Sequence, residues 1–139
     1  MASNVHTKNK HYDVIVVGAG LIGLAAVIAL SGQGKRVALV DAKPKPECYK
    51  LDKIWDSRIY ALTPSTESWL IQKGVWQHID LTRIQYVESM ALWSSENVSP
   101  LQLHASDAHL TKLACIIENQ NLMQALWKQT EVLNIPMFM

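Results

Sequence analysis

The chain has 139 residues, enough for one ordinary domain with its core. Its composition is globular, 49% hydrophobic and 18% charged, and thirteen basic against twelve acidic side chains leave a formal charge of +1. Nothing in that balance points to nucleic acid or an anionic membrane surface as a partner. The five His are scattered, and the local pairs His6/His11 and His104/His109 stand five apart. Such spacing does not put two ligands on one helical face, so no metal site is expected. Cys48 and Cys115 form no CxxC pair. Two lone thiols fit a reducing compartment and a chain without disulfides, with both sulfurs buried or inert.

Tyr12–Val17 is a short run rich in Val and Ile, the pattern of a parallel-sheet strand buried on both faces. Gly18-Ala19-Gly20-Leu21-Ile22-Gly23 follows, a GxGxxG. Leu21–Leu30 is apolar and Ala-rich, a buried helix, and Ser31-Gly32-Gln33-Gly34 ends it with glycine suited to a left-handed residue. Val37–Val40 is a second β-type run, closed by Asp41. Val14–Leu30 is seventeen residues without a charge and could pass for a signal peptide or a short membrane span. The strand before the glycines, the helix after them, the second strand and its terminal acid argue instead for a β-turn-α-turn-β unit.

Each part of that unit has a physical task. Gly18 lets the chain turn sharply. Gly20, without a side chain, leaves room for a diphosphate beside the backbone. Gly23 lets helix and strand pack closely. The helix start aims the N–H groups near Leu21 and Ile22 at an anion. Asp41, eighteen residues after Gly23, is placed to accept hydrogen bonds from ribose hydroxyls. A carboxylate there would repel a 2′-phosphate, which speaks against NADP at this position.

Further along, Ala42–Asp56 reads as a polar loop. Thr63-Pro64 opens a helix that runs to about Lys73 and stops at Gly74, with Trp69, Leu70 and Ile71 as its apolar side. Ile84–Trp93 and Leu101–His104 read as strands around the turn-rich Ser94–Pro100. Leu113–Ile117 is a short apolar run. Asn119–Gln129 is a second clear helix, with Leu122, Ala125, Leu126 and Gln129 on one face. Ile135–Met139 is β-like.

Three segments, YDVIVVGAGLIGLAAVIAL…VALVD, DSRIYALTPSTESWLIQKGVWQHI (Asp56–Ile79) and IIENQNLMQALW (Ile116–Trp127), resemble the class A FAD-dependent aromatic monooxygenases. The likeness is greatest to the ubiquinone-biosynthesis hydroxylases. It implies an α/β fold with a Rossmann-like FAD-binding βαβ domain and the first strands of a substrate-binding sheet. On that pattern residues 11–82 are the first part of the FAD-binding domain, 83–112 the start of the substrate-binding sheet, and 113–139 a return to the FAD-binding domain. The resemblance assigns Gly18, Gly20, Leu21, Ile22, Gly23, Asp41 and Ala42 to FAD, together with Arg58 and Asn119. Arg58 is otherwise a solvated surface arginine, and Asn119 is equally a good helix N-cap. Trp69, Trp76 and Trp127 read as packing residues.

The implied reaction is hydroxylation of a polyprenylated aromatic ring with O₂, FAD and NAD(P)H as electron donor. No residue stands out as its acid or base, so no catalytic residue is named. The late Gly-Asp segment and the middle DG segment of the family are not found, and the chain reads as truncated. The missing C-terminal part or another chain would complete it. A cytoplasmic location is expected, peripheral at the inner face of the membrane or in a multi-enzyme complex because of the lipid substrate. Two other readings stay open: an NAD-dependent oxidoreductase built on the same βαβ unit, and a non-catalytic nucleotide-binding module.

Overall fold

The computed structural model describes residues 11–46, 55–94 and 99–139. The middle of the Ala42–Asp56 loop with Cys48, the centre of the Ser94–Pro100 turn, and His6 lie outside the described residues. Packing divides the chain into two compact units. One comprises the described residues up to Lys45 together with Thr130–Met139, and the other is Pro46–Gln129.

The first unit is a parallel sheet with a helix on it. Strand β1 (Val14–Val17) leads through the glycine turn into helix α1 (Leu21–Ser31) and on to β2 (Val37–Val40). β2 lies between β1 and a short last strand, Met137–Phe138, and both pairings are parallel. Leu24, Val27 and Ile28 of α1 and Val37, Ala38 and Leu39 of β2 form the core. β2 is therefore the doubly buried strand that an uninterrupted apolar run implies. β1 departs from that expectation: it is an edge strand, and Ile15 and Val17 are 59% and 79% exposed. Only its Val14/Val16 side turns inward. The left-handed residue after α1 is Gly34 at φ 72, whereas Gly32 is still right-handed at φ −67.

Two aspartates tie the ends of this βαβ unit. At the strand starts, Asp13 donates its N–H to the Arg36 carbonyl (2.8 Å) and its carboxylate accepts the Arg36 N–H (2.7 Å) and guanidinium (3.0 Å). Hydrogen bonding from Arg36 holds the Asp13 carboxyl down at about 2. At the strand ends, Asp41 performs the corresponding task.

The second unit is mostly antiparallel. Strand β3 (Ile59–Leu62) is not legible as a strand in the sequence. It pairs with the strand Ala114–Glu118, whose other edge pairs with β4 (Ile84–Val87). The expected single strand Ile84–Trp93 is two strands. The chain breaks at Glu88, and β5 (Ser89–Leu92) leaves that sheet to form a two-stranded ribbon with β6 (Leu101–His104). Ala114–Glu118 is β7, and Met137–Phe138 of the first unit is β8.

Helix α2 (Pro64–Gln72) begins and ends as its residues dictate. Thr63 Oγ1 accepts the Thr66 N–H at 3.3 Å, Pro64 fills the first turn, and Gly74 at φ 72 follows the last. Of its apolar side only Leu70 is buried, and Ile71 points to solvent. Helix α3 (Asn119–Val132) buries Leu122, Ala125, Leu126 and Gln129, the face read from the sequence. Trp127 is buried too, whereas Trp69 and Trp76 are half-buried. Buried polar side chains on α3 seat the loop after α2. Asn121 exchanges two 2.9 Å bonds with the backbone of Asp80, and Gln129 meets His78 at 3.1 Å. Cys115 of β7 is buried and free.

Gly23 shows how closely α1 lies on the turn before it. A Cβ there would stand 1.8 Å from the Gly18 carbonyl oxygen. Gly23→Ala is expected to destabilise the chain by about 3 kcal/mol, at the upper end for overpacking because the obstruction is backbone. A thermal or urea melt matching wild type would show that the turn is free to move away.

Candidate functional site

In the first unit the sequence-expected residues gather at the C-terminal ends of β1 and β2. Gly18 takes φ +102, a conformation that suits glycine, and donates its N–H to the Val40 carbonyl at 2.7 Å. Gly20 is the N-cap of α1 in extended conformation, and a Cβ added to it would meet nothing within 4 Å. Gly18 and Gly23 are therefore required by the fold itself. Gly20 is not; its missing side chain leaves open space at the helix mouth. Leu21 and Ile22 follow as the first helical residues, and their N–H groups belong to the turn that has no partners within the helix. Ile22 is 86% exposed, so this first turn lies at the surface.

Asp41 closes the arrangement from the tip of β2. Its Oδ2 accepts the Ala19 N–H at 2.6 Å, inside the glycine turn, and its Oδ1 accepts the Lys43 N–H at 2.8 Å. The bond from Ala19, then that from Lys43, holds the carboxyl below its ordinary range. The sequence placed this carboxylate near the turn for a ribose. The hydrogen bond to the turn itself was not legible in it. Ala42 is exposed beside Asp41.

Arg58 and Asn119, assigned to the same cofactor from sequence, belong to the second unit. There they adjoin each other: the Asn119 N–H donates to the Arg58 carbonyl at 2.9 Å. The Arg58 side chain is exposed. Asn119 is the first residue of α3, and the carboxylate serving that helix start is Asp56. Asp56 accepts the Gln120 N–H at 3.1 Å and the Arg58 N–H at 2.9 Å. The Arg58 N–H is the main reason that the Asp56 carboxyl is held low. Asp56 itself donates its N–H to Glu118 at 2.6 Å, and Glu118 is gripped by Arg83. Sequence reading missed Asp56, Arg83 and Glu118 as parts of this cluster. The acid before Arg58 and the acid before Asn119 were the available signals. Among the described residues no group of His, Cys, Asp and Glu could hold a metal ion.

Asp41 in the first unit and Asp56 in the second are acid-sensitive in the same sense. A carboxyl whose folded pKa lies below its unfolded value stabilises the fold above about pH 4. The contribution is lost as pH falls through the folded value. In Asp41→Asn the melting temperature is expected to fall less steeply below about pH 4 than in wild type. Parallel acid limbs for the two proteins would mean that the Ala19–Asp41 bond contributes nothing.

Residues 13–48 match a protein-family model described as FAD binding domain. The mouse ubiquinone biosynthesis monooxygenase COQ6, a mitochondrial protein, is 32% identical over 124 residues, which is 86% of this chain and 26% of that one. The ubiquinone hydroxylase UbiM of Neisseria meningitidis is 27% identical, over 85% of this chain and 27% of its own. The chain thus spans about a quarter of the length of the curated relatives it matches. Among solved structures, 2-methyl-3-hydroxypyridine-5-carboxylic acid oxygenase superposes with a TM-score of 0.67 at 20% identity, over 92% of this chain and 31% of that one. CtdE in complex with FAD gives a TM-score of 0.59 at 18% identity, over 93% and 30%.

Proposed function

We propose that this chain, which carries the opening of the FAD-binding fold found in class A monooxygenases, is the nucleotide-holding part of an FAD-dependent hydroxylase of the ubiquinone-biosynthesis kind. The observation that carries the reading is the glycine turn with Asp41 bonded into it. It lies in a chain whose similarity to those hydroxylases extends over 86% of its length, well past the glycines. A dinucleotide fits this arrangement: open space at Gly20, free N–H groups at Leu21 and Ile22, and an ionised carboxylate at the strand tip.

The residues divide the work by chemistry. The N–H groups of Leu21 and Ile22, with the α1 dipole behind them, hold the diphosphate. Asp41 accepts from the adenosine ribose, with Ala42 beside it. Arg58 brings positive charge to the phosphates, and the Asn119 amide orients the cofactor by hydrogen bonding. Bound FAD supplies the redox chemistry with O₂. NAD(P)H as donor and a polyprenylated aromatic ring as substrate belong to this reading, as does peripheral contact with a membrane or a multi-enzyme complex. Among the described residues no helix is long and apolar enough to cross a membrane. No acid–base residue is assigned: the chain's part is to bind and orient.

Gly20 offers a clean test because a side chain there obstructs nothing in the protein. Gly20→Val is expected to melt within a few degrees of wild type yet bind FAD at least about tenfold more weakly, the loss of one charge-assisted contact or more. Asp41→Ala is expected to weaken FAD by about the same factor. Titration of flavin fluorescence measures both. A wild-type chain that leaves flavin fluorescence unchanged, or a Gly20→Val chain that binds as wild type does, would overturn the proposal.

A further inference from the structure

Arg83 and Glu118 form a two-point ion pair at 2.6 and 2.7 Å, with side chains only 11% and 4% exposed. The Arg83 guanidinium also lies over the Trp55 ring at 4.3 Å. Buried pairs of this kind are poor stabilisers, because desolvation cancels most of their attraction; a geometry that only they can impose is the better reason for one. Here the geometry can be followed atom by atom. The Glu118 Oε1 that faces Arg83 also accepts the Asp56 N–H at 2.6 Å. The Asp56 carboxylate then accepts the N–H groups of Arg58 and Gln120 at 2.9 and 3.1 Å. The Arg58 carbonyl takes the Asn119 N–H at 2.9 Å, completing the path.

We infer that Arg83 is a positioning residue: acting through Glu118, it fixes the Asp56–Arg58 turn against the start of α3 and so sets how Arg58 and Asn119 are presented to FAD. Arg83 does this without touching the cofactor. The inference rests on the reading above that Arg58 and Asn119 face FAD. Without its cation, Glu118 is left as a buried uncompensated charge. It then turns or protonates and releases the Asp56 N–H, and the turn carrying Arg58 loses its anchor.

The experiment measures FAD affinity by flavin fluorescence in the 139-residue chain, at a temperature where circular dichroism shows every variant folded. Arg83→Met is made in the wild-type background and in an Arg58→Ala/Asn119→Ala background. Expected is a loss of about tenfold in the first and less than about twofold in the second, because coupled residues do not add. Arg83→Lys, which keeps the charge but not the two-point grip, is expected to recover part of the loss. If Arg83→Met does not fold, Arg83→Lys in the two backgrounds makes the same comparison. Equal losses in both backgrounds, or none in either, would overturn the positioning role while leaving the FAD reading intact. If Arg58→Ala/Asn119→Ala binds FAD as wild type does while Gly20→Val does not, the assignment of those two residues has failed, and the inference with it.

Discussion

The fold of the first unit rests on one close approach, the Gly23 Cα against the Gly18 carbonyl. A helix can start at the end of a strand and lie back along the sheet only if the connection is very short. That requires backbone against backbone where two side chains would ordinarily meet. Once this approach is made, the rest follows. The helix mouth opens at the strand ends, the N–H groups of Leu21 and Ile22 point outward, and the tip of β2 comes within reach of the turn. Asp41 uses that reach to accept the Ala19 N–H. The same carboxylate therefore stabilises the turn and, in the reading proposed above, has lone pairs left for a sugar. A single residue links the shape of the cradle to its chemistry.

The elements most legible in the sequence are those with a local cause. β2, β6, α1 and the start and stop of α2 lie where the residues put them, because branched apolar runs, Thr-Pro and Gly carry their own conformational preferences. The buried face of α3 was legible for the same reason, its period being that of a helix. β3 was missed because Ile-Tyr-Ala-Leu has no pattern of its own; its strand character comes from pairing with β7, more than fifty residues later. The break at Glu88 was missed because nothing local forces it: the chain changes partners there, from β7 to β6. Burial of β1 was overestimated, since an apolar strand reads alike at the centre of a sheet and at its edge.

The site was legible to a similar extent. The glycine turn and Asp41 announced themselves by spacing, and the structure brings them together. Arg58 and Asn119 came from resemblance alone, and the structure explains why the two occur together: backbone and carboxylate bonds join their segments. The supporting acids Asp56 and Glu118 stand within two positions of residues that were singled out, yet a lone sequence gives no way to tell a buried carboxylate from a solvated one. What distinguishes Glu118 is Arg83, thirty-five positions earlier, and such a pairing exists only in three dimensions.

The parallel pairing of β8 with β2 has a consequence for how this polypeptide acquires its structure. Leu39 and Val40 wait for Met137 and Phe138, 98 positions later in the chain. Pro46–Gln129, by contrast, is continuous. During vectorial synthesis the continuous segment can reach its native arrangement while β2 still lacks a neighbour on one side. The β1–α1–β2 unit, which precedes that segment, is completed by β8 only after it. Contacts of such long range close slowly. A nascent chain therefore passes through a stage in which one edge of β2, a strand with three buried residues, is unpaired.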